Sequence, residues 1–279
     1  MMGTKRSIVI SAIILLFVGV TYARNSRIFY VQNKCQRYVK TQLSRKLARA
    51  RRLITTFPKI FTAEISKVKP NAPTGDCRWE APAGSLWKFQ VPNYWTSGRI
   101  WGRRDCNFNT NNSGSGVNSC STGSCIGGLE CDASSGTGIP PATLAEWTLN
   151  ADDGLDYYDV SLVDGYNMPM SILTNKGCDS SDCKNDLGLT CPGELKKGDD
   201  GCLSACAAGM GGGGADDPVC CKGKYGTPGM CPPSGIPYYD HFKKGCPNSY
   251  IYAYDENSGT ALRNCSASLS TDYLVTFCP

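Results

Sequence analysis

The chain has 279 residues, with 17 cysteines, 31 glycines, 16 prolines, one histidine and a net charge of +5. A single histidine excludes a multi-histidine metal site and leaves any serine or cysteine nucleophile only His241 as an imidazole base. Acid–base chemistry must therefore rest on carboxylates, in a chain long enough for one or two domains with a real core.

Residues 1–23 begin with Lys5 and Arg6, run through apolar Ile8 to Val20 and close on the small residues Thr21 and Ala23. This is the pattern of a secretory signal peptide. Its apolar stretch falls short of the roughly 18–20 residues that span a bilayer, so no stable membrane anchor is expected. A chain that enters an oxidising compartment should hold nearly all its cysteines in disulfides, and an odd number leaves one thiol over. From Cys178 to Cys246 the spacings include no Cys-x2-Cys pair, so neither a metal site nor a cofactor is expected.

Arg27 to Cys35 reads as a strand ending at a cysteine. Val39, Leu43, Leu47, Ala50, Ile54 and Phe57 recur at steps of three and four among Arg45, Lys46, Arg49, Arg51 and Arg52, a basic amphipathic helix pattern. That helix is read as a surface for an anionic membrane or polymer, as a solvated excursion, or as a segment that does not belong to the mature fold. Residues 36–69 hold ten Lys/Arg against Glu64; with the two basic residues of the signal set aside, the remainder of this +5 chain is net −6. An acidic globular part argues against a nucleic-acid partner.

From Pro70 onward the texture changes to short β-rich runs such as Ser85–Val91, Arg99–Trp101, Tyr157–Val163 and Tyr273–Phe277, separated by turn residues. These predict an antiparallel sandwich. Between Thr174 and Cys246 apolar periodicity nearly vanishes while cysteines accumulate, which predicts a lobe held by crosslinks more than by a core. Within it, Gly211–Gly214 follows no strand and opens no helix, so it reads as a flexible loop rather than a phosphate cradle. His241 is expected on the surface of a short helix, and Asn112 is the better of two glycan acceptors. On the Tyr157–Val163 strand, Asp159 and Ser161 share one face while Val160 and Leu162 take the other. Asp164 has the wrong parity for that face, but Asp164-Gly165 is a turn signal that can re-aim it.

Several motifs in a fixed order carry a family resemblance: Gly98-Arg-Ile-Trp-Gly-Arg-Arg-Asp-Cys106, Cys120-Ser-Thr-Gly-Ser-Cys125, Pro140-Pro-Ala-Thr-Leu-Ala-Glu-Trp147, Tyr157 through Met170, the Cys220-Cys221 pair and the ending Phe277-Cys-Pro279. The chain resembles the thaumatin-like proteins, the family of thaumatin and the plant pathogenesis-related antifungal proteins. Its short loops and the Tyr252–Asn257 run look more like fungal members. The resemblance implies an all-β fold. Residues 24–104, 142–182 and 247–279 would form the antiparallel sandwich, with 36–69 as an atypical basic insertion. Residues 105–141 would form a small disulfide loop domain and 183–246 the disulfide-rich lobe, with an acidic cleft between sandwich and lobe. Sixteen cysteines match the family once Cys77 is set aside, implying the pairs Cys35–Cys278, Cys106–Cys120, Cys125–Cys131, Cys178–Cys265, Cys183–Cys246, Cys191–Cys202, Cys206–Cys220 and Cys221–Cys231. Spacing alone could not choose that connectivity. The loop from Gly114 to Cys125 departs from the family signature, being two residues longer and carrying Ser124 in place of an acid.

The family cleft is lined by one Arg, one Glu and three Asp, which fall here on Arg99, Glu146, Asp159, Asp164 and Asp255. The family binds β-1,3-glucans, and some members hydrolyse them slowly. The expectation is a secreted, monomeric binder of β-1,3-glucan of cell walls, with turnover left open. If it turns over, Glu146 amid apolar neighbours is the proton donor and Asp164 the nucleophile or base. Asp159 and Asp255 would then bind sugar hydroxyls, Arg99 would orient them, and Tyr157, Tyr158, Tyr166 and Trp147 could offer ring faces. The alternative is a membrane-active defence protein acting through the basic helix.

Overall fold

The computed structural model describes residues 25–35, 60–65, 78–106, 120–126 and 139–279. The signal sequence, the basic helix expected over 39–57, Cys77, Asn112 and Cys131 lie outside the described residues. In chain order the strands are β1 (Ser26–Asn33), β2 (Ile60–Ile65), β3 (Arg78–Glu80), β4 (Leu86–Pro92), β5 (Gly98–Arg104), β6 (Leu144–Thr148) and β7 (Leu155–Ser161). They continue as β8 (Met170–Thr174), β9 (Ser181–Cys183), β10 (Lys196–Lys197), β11 (Gly201–Cys202), β12 (Arg263–Ser266) and β13 (Tyr273–Phe277), with one α-helix among the described residues, α1 (Tyr239–Gly245), which carries His241.

Two sheets form the sandwich, one in the order β4-β1-β13-β8-β9 and the other β12-β7-β6-β5-β2-β3. The strands alternate as a half-buried sheet requires: in β1, Arg27, Phe29, Val31 and Asn33 are buried while the residues between them are not. Between the sheets Phe29 packs edge-on against Trp95 and Trp147, at 5.4 and 4.9 Å between ring centroids, and Tyr273 meets Tyr158 at 5.3 Å. Trp147 is thus core and offers no face to a sugar.

Two features correct the sequence reading. β1 runs parallel to β13, where the sequence reading expects antiparallel pairing. The pairing of Asn33 with Phe277 sets Cys35 and Cys278 side by side just past the two strand ends, where their disulfide closes a 243-residue loop. The second correction concerns 36–69: β2 pairs with both β3 and β5, so residues 60–65 belong to the second sheet rather than to an insertion. Without that strand the outer edge of β5 would present unpaired backbone groups.

The described disulfides are Cys35–Cys278, Cys106–Cys120, Cys178–Cys265, Cys183–Cys246, Cys191–Cys202, Cys206–Cys220 and Cys221–Cys231, the pairs the resemblance implies. The last four lie at or within the lobe and supply crosslinks where apolar burial is thin. The glycine run of this lobe is not slack. It wraps the buried carboxylate of Asp217, which accepts the N–H groups of Gly213, Val219 and Cys220 at 3.1, 2.9 and 2.8 Å. A Cβ on Gly211 would collide with the Asp217 carboxylate, so a side chain there must displace a group that three N–H bonds hold in place.

These N–H donors, Cys220 foremost, hold the Asp217 carboxyl below its usual range. A depressed folded value stabilises the fold above the unfolded carboxyl value of 3.8, and that stability is lost as pH falls through the folded value. Asp217→Asn should therefore flatten the acid limb of the stability profile, read as the slope of thermal midpoint against pH below pH about 4; an unchanged slope would contradict the assignment.

Candidate functional site

Arg99 on β5, Glu146 on β6 and Asp159 on β7 are successive cross-strand partners, so they line up on one face of the second sheet. The neighbouring row of partners, Ile100, Ala145 and Val160, points the other way and is fully buried in the core. The period-2 rule thus places a polar strip directly across from apolar packing. Two steps along the same face, Trp101 and Leu144 disappear beneath Ala142 and Cys125. The strip is therefore covered at that end and open at the charged row.

Within the row, Arg99 Nε meets Glu146 Oε1 at 2.6 Å, and both side chains keep about a quarter of their surface in solvent. Asp159 is 9% exposed, and its buried Oδ1 has no hydrogen-bond partner. Burial, then the charge of Glu146, pushes the Asp159 carboxyl well above its ordinary range; Arg99 opposes this and Glu256 adds to it. Asp164 stands in the turn after β7, where Gly165 N–H closes on Leu162 O at 2.8 Å. Its carboxyl is also raised, by burial and by Glu146 against the pull of Arg99. The turn signal in the sequence thus brings Asp164 under the influence of the same row.

Gly165 holds this turn against the lobe. Its φ is +88°, and a Cβ there would lie 2.5 Å from the Cys202 carbonyl oxygen, beside the Tyr166–Cys202 backbone pair at 2.7 and 2.8 Å. Gly165→Ala combines left-handed strain with a backbone clash, and is expected to cost about 2–3 kcal/mol. Denaturant titration of the oxidised protein measures this, and a loss under about 0.5 kcal/mol would contradict the close approach.

The other predicted residues divide. Tyr158 and Tyr166 are fully buried; Tyr158 donates its hydroxyl to Asp179 O, and Tyr166 donates to Asp186 Oδ1 at 3.2 Å. Burial pushes the Tyr158 hydroxyl up to about 12. Both are core residues and not sugar platforms: the parity of β7 sends Tyr158 inward with Val160, and Tyr166 is held in by its backbone pair with Cys202. Tyr157 has the parity of Asp159 and stays half-buried on the strip's face.

Asp255 is 1% exposed and committed elsewhere. Its carboxylate accepts from Tyr239 hydroxyl at 2.7 Å, Lys243 Nζ at 2.9 Å and Ile251 N–H at 2.9 Å, which locks α1 to the turn that follows it. The acid that acts on Asp159 from this segment is the next residue, exposed Glu256, which accepts a hydrogen bond from the Tyr250 hydroxyl. Tyr250 continues the sheet: its N–H bonds Val160 O at 2.9 Å, its carbonyl accepts Leu162 N–H at 2.7 Å, and it pairs with Ser161. That register gives it the face shared by Ser161 and Asp159. Sequence reasoning missed Tyr250 and Glu256, since nothing in an Asp-Glu pair says which acid turns inward. Among the described residues no cluster suited to a metal ion occurs, and no helix is long and apolar enough to cross a membrane.

The family model described as the thaumatin family matches residues 54–279. A thaumatin-like protein of Arabidopsis thaliana is 42% identical over 211 residues, covering 72% of this chain and 78% of the relative. Pathogenesis-related protein 5 of the same plant is 41% identical over 212 residues, covering 74% and 80%. A solved β-1,3-glucanase from Paenibacillus barengoltzii aligns with a TM-score of 0.47 at 10% identity, covering 91% of this chain and 75% of its own, a likeness too distant to bear on chemistry.

Proposed function

Because the chain belongs to the thaumatin family, we propose that it is a secreted defence-type protein that binds β-1,3-glucan along the acidic strip. The observation that carries this reading is the convergence of Glu146, Asp159 and Asp164 around Arg99, with Glu256 acting on Asp159 from a segment far along the chain. A row of carboxyls with one guanidinium suits a polymer of hydroxyl groups, each of which can donate to a carboxylate and accept from Arg99. Pathogenesis-related relatives support the defence role, and the dense disulfides suit an oxidising compartment outside the cell. With Tyr158 and Tyr166 buried, the sugar contacts fall on polar groups and on Tyr157.

The test is pelleting of the oxidised mature protein with insoluble linear β-1,3-glucan, with soluble reducing ends assayed in the same tubes. Glu146→Gln breaks the 2.6 Å pair with Arg99 and removes a charged acceptor, so binding should weaken about tenfold. The same change should leave thermal stability nearly untouched, because a partly exposed pair contributes about 0–1 kcal/mol. Reducing ends that vanish in Glu146→Gln and Asp164→Asn would make the protein a hydrolase using that carboxyl pair. Binding without product makes it a wall-glucan lectin, and absence of both overturns the reading.

A further inference from the structure

The sequence assigns the proton-carrying role to Glu146, but Glu146 is the residue whose carboxylate closes on Arg99 at 2.6 Å. Donating a proton from that position means first giving up the attraction of the guanidinium. One strand over, Asp159 is buried with its Oδ1 unpartnered, and it faces acids on two sides: Glu146 directly opposite on β6 and Glu256 from the segment after α1. A buried carboxylate without a donor carries a large desolvation cost, and a neutral acid avoids it while gaining an O–H.

We propose that Asp159 acts as a neutral carboxylic acid, a hydrogen-bond donor set among acceptors, which offers its O–H to an oxygen of the bound ligand. With glucan as the ligand, an inference that rests on the function proposed above, the recipient is a sugar hydroxyl or a glycosidic oxygen. The groups facing Asp159 are Arg99 on β5, Glu146 on β6 and Glu256 with its Tyr250 partner alongside β7, while Asp164 in the turn beyond shares Arg99 and Glu146 as neighbours. Acids outnumber the cation among them, and burial adds to their effect. A neutral acid lowers the cost of the buried, unsatisfied Oδ1, and the 9% of Asp159 that stays exposed is where a ligand can reach the carboxyl.

Three readouts test this, two of them independent of any glucan. Infrared difference spectra of wild type against Asp159→Asn at neutral pH should show the carbonyl stretch of a protonated carboxyl in the wild type only. A raised folded value means that stability is fully present below the unfolded carboxyl value of 3.8 and is lost as pH rises through the folded value. Asp159→Asn lacks that loss, so its thermal midpoint should gain on the wild type as pH rises. In pelleting assays the wild-type affinity for linear β-1,3-glucan should fall by up to tenfold per pH unit above the folded value, a one-proton slope. Asp159→Asn should lack this step at whatever affinity it retains. Absence of the protonated-carboxyl band, or a binding step that survives in Asp159→Asn, overturns the proposal. If neither protein binds glucan, the function proposed above fails, while the band and the midpoint slope still decide whether Asp159 is neutral.

Discussion

Asp156→Ala is expected to destabilise the fold by about 3–5 kcal/mol, the cost of leaving a buried charge without its partner. Asp156 is completely buried on β7, in the second sheet, and Arg27 is 1% exposed on β1, in the first. Arg27 Nη2 donates to both carboxylate oxygens at 3.3 Å and to Ala267 O at 2.9 Å. The same carboxylate accepts from Asn150 N–H at 2.9 Å and from Tyr273 hydroxyl at 2.9 Å. One side chain thus ties together β1, β7, β13 and the turn before β7, across the interior of the sandwich. Its removal leaves the Arg27 guanidinium without a counter-charge, and a hydroxyl and an amide without an acceptor, in a place water does not reach.

Guanidinium titration of the oxidised protein measures the loss. Tyr273→Phe, which removes one neutral donor, should cost only about 1 kcal/mol. Arg27→Met combined with Asp156→Leu should cost less than Asp156→Ala alone, because an apolar pair leaves no stranded charge. A loss below about 1 kcal/mol for Asp156→Ala would mean that the network is not what closes the sandwich.

The second large effect separates two adjacent acids. Asp255→Ala should cost about 3 kcal/mol, since it strands Lys243, Tyr239 and the Ile251 N–H at once. Burial already pulls the Lys243 ammonium below its usual value, with Asp255 as the opposing support. Glu256→Gln, at an exposed position, should leave the unfolding midpoint within about 0.5 kcal/mol of wild type. On glucan the order reverses at the level of direct contact. Glu256→Gln should weaken pelleting about three- to tenfold in a fully stable protein, because Glu256 faces Asp159 while Asp255 faces α1. If Asp255→Asn stays stable and loses binding while Glu256→Gln keeps it, the two assignments are exchanged.

Local chemistry in the sequence was enough for several parts of this protein. The alternation around Asp159 placed Val160 inward, and the Asp164-Gly165 pair announced the turn that re-aims Asp164. Those signals are local, involving a two-residue period and the conformational freedom of one glycine, and they survive whatever the rest of the chain does. The short β runs and the cysteine-rich stretch likewise follow from composition, because a segment with little apolar surface has to be crosslinked to stay folded.

Partner choice was decided only in three dimensions. The parallel β1–β13 pair joins the two ends of the chain, and no local pattern encodes that neighbour. The burial of Tyr166 against Cys202, the capture of Asp255 by Lys243 and Tyr239, and the arrival of Tyr250 and Glu256 beside β7 all depend on which distant segment packs against which. The same is true of the charge state of the site. A carboxyl's protonation is set by burial and by the fields of groups brought near it, so the rise at Asp159 arises only once solvent is removed from it and Glu146 lies opposite.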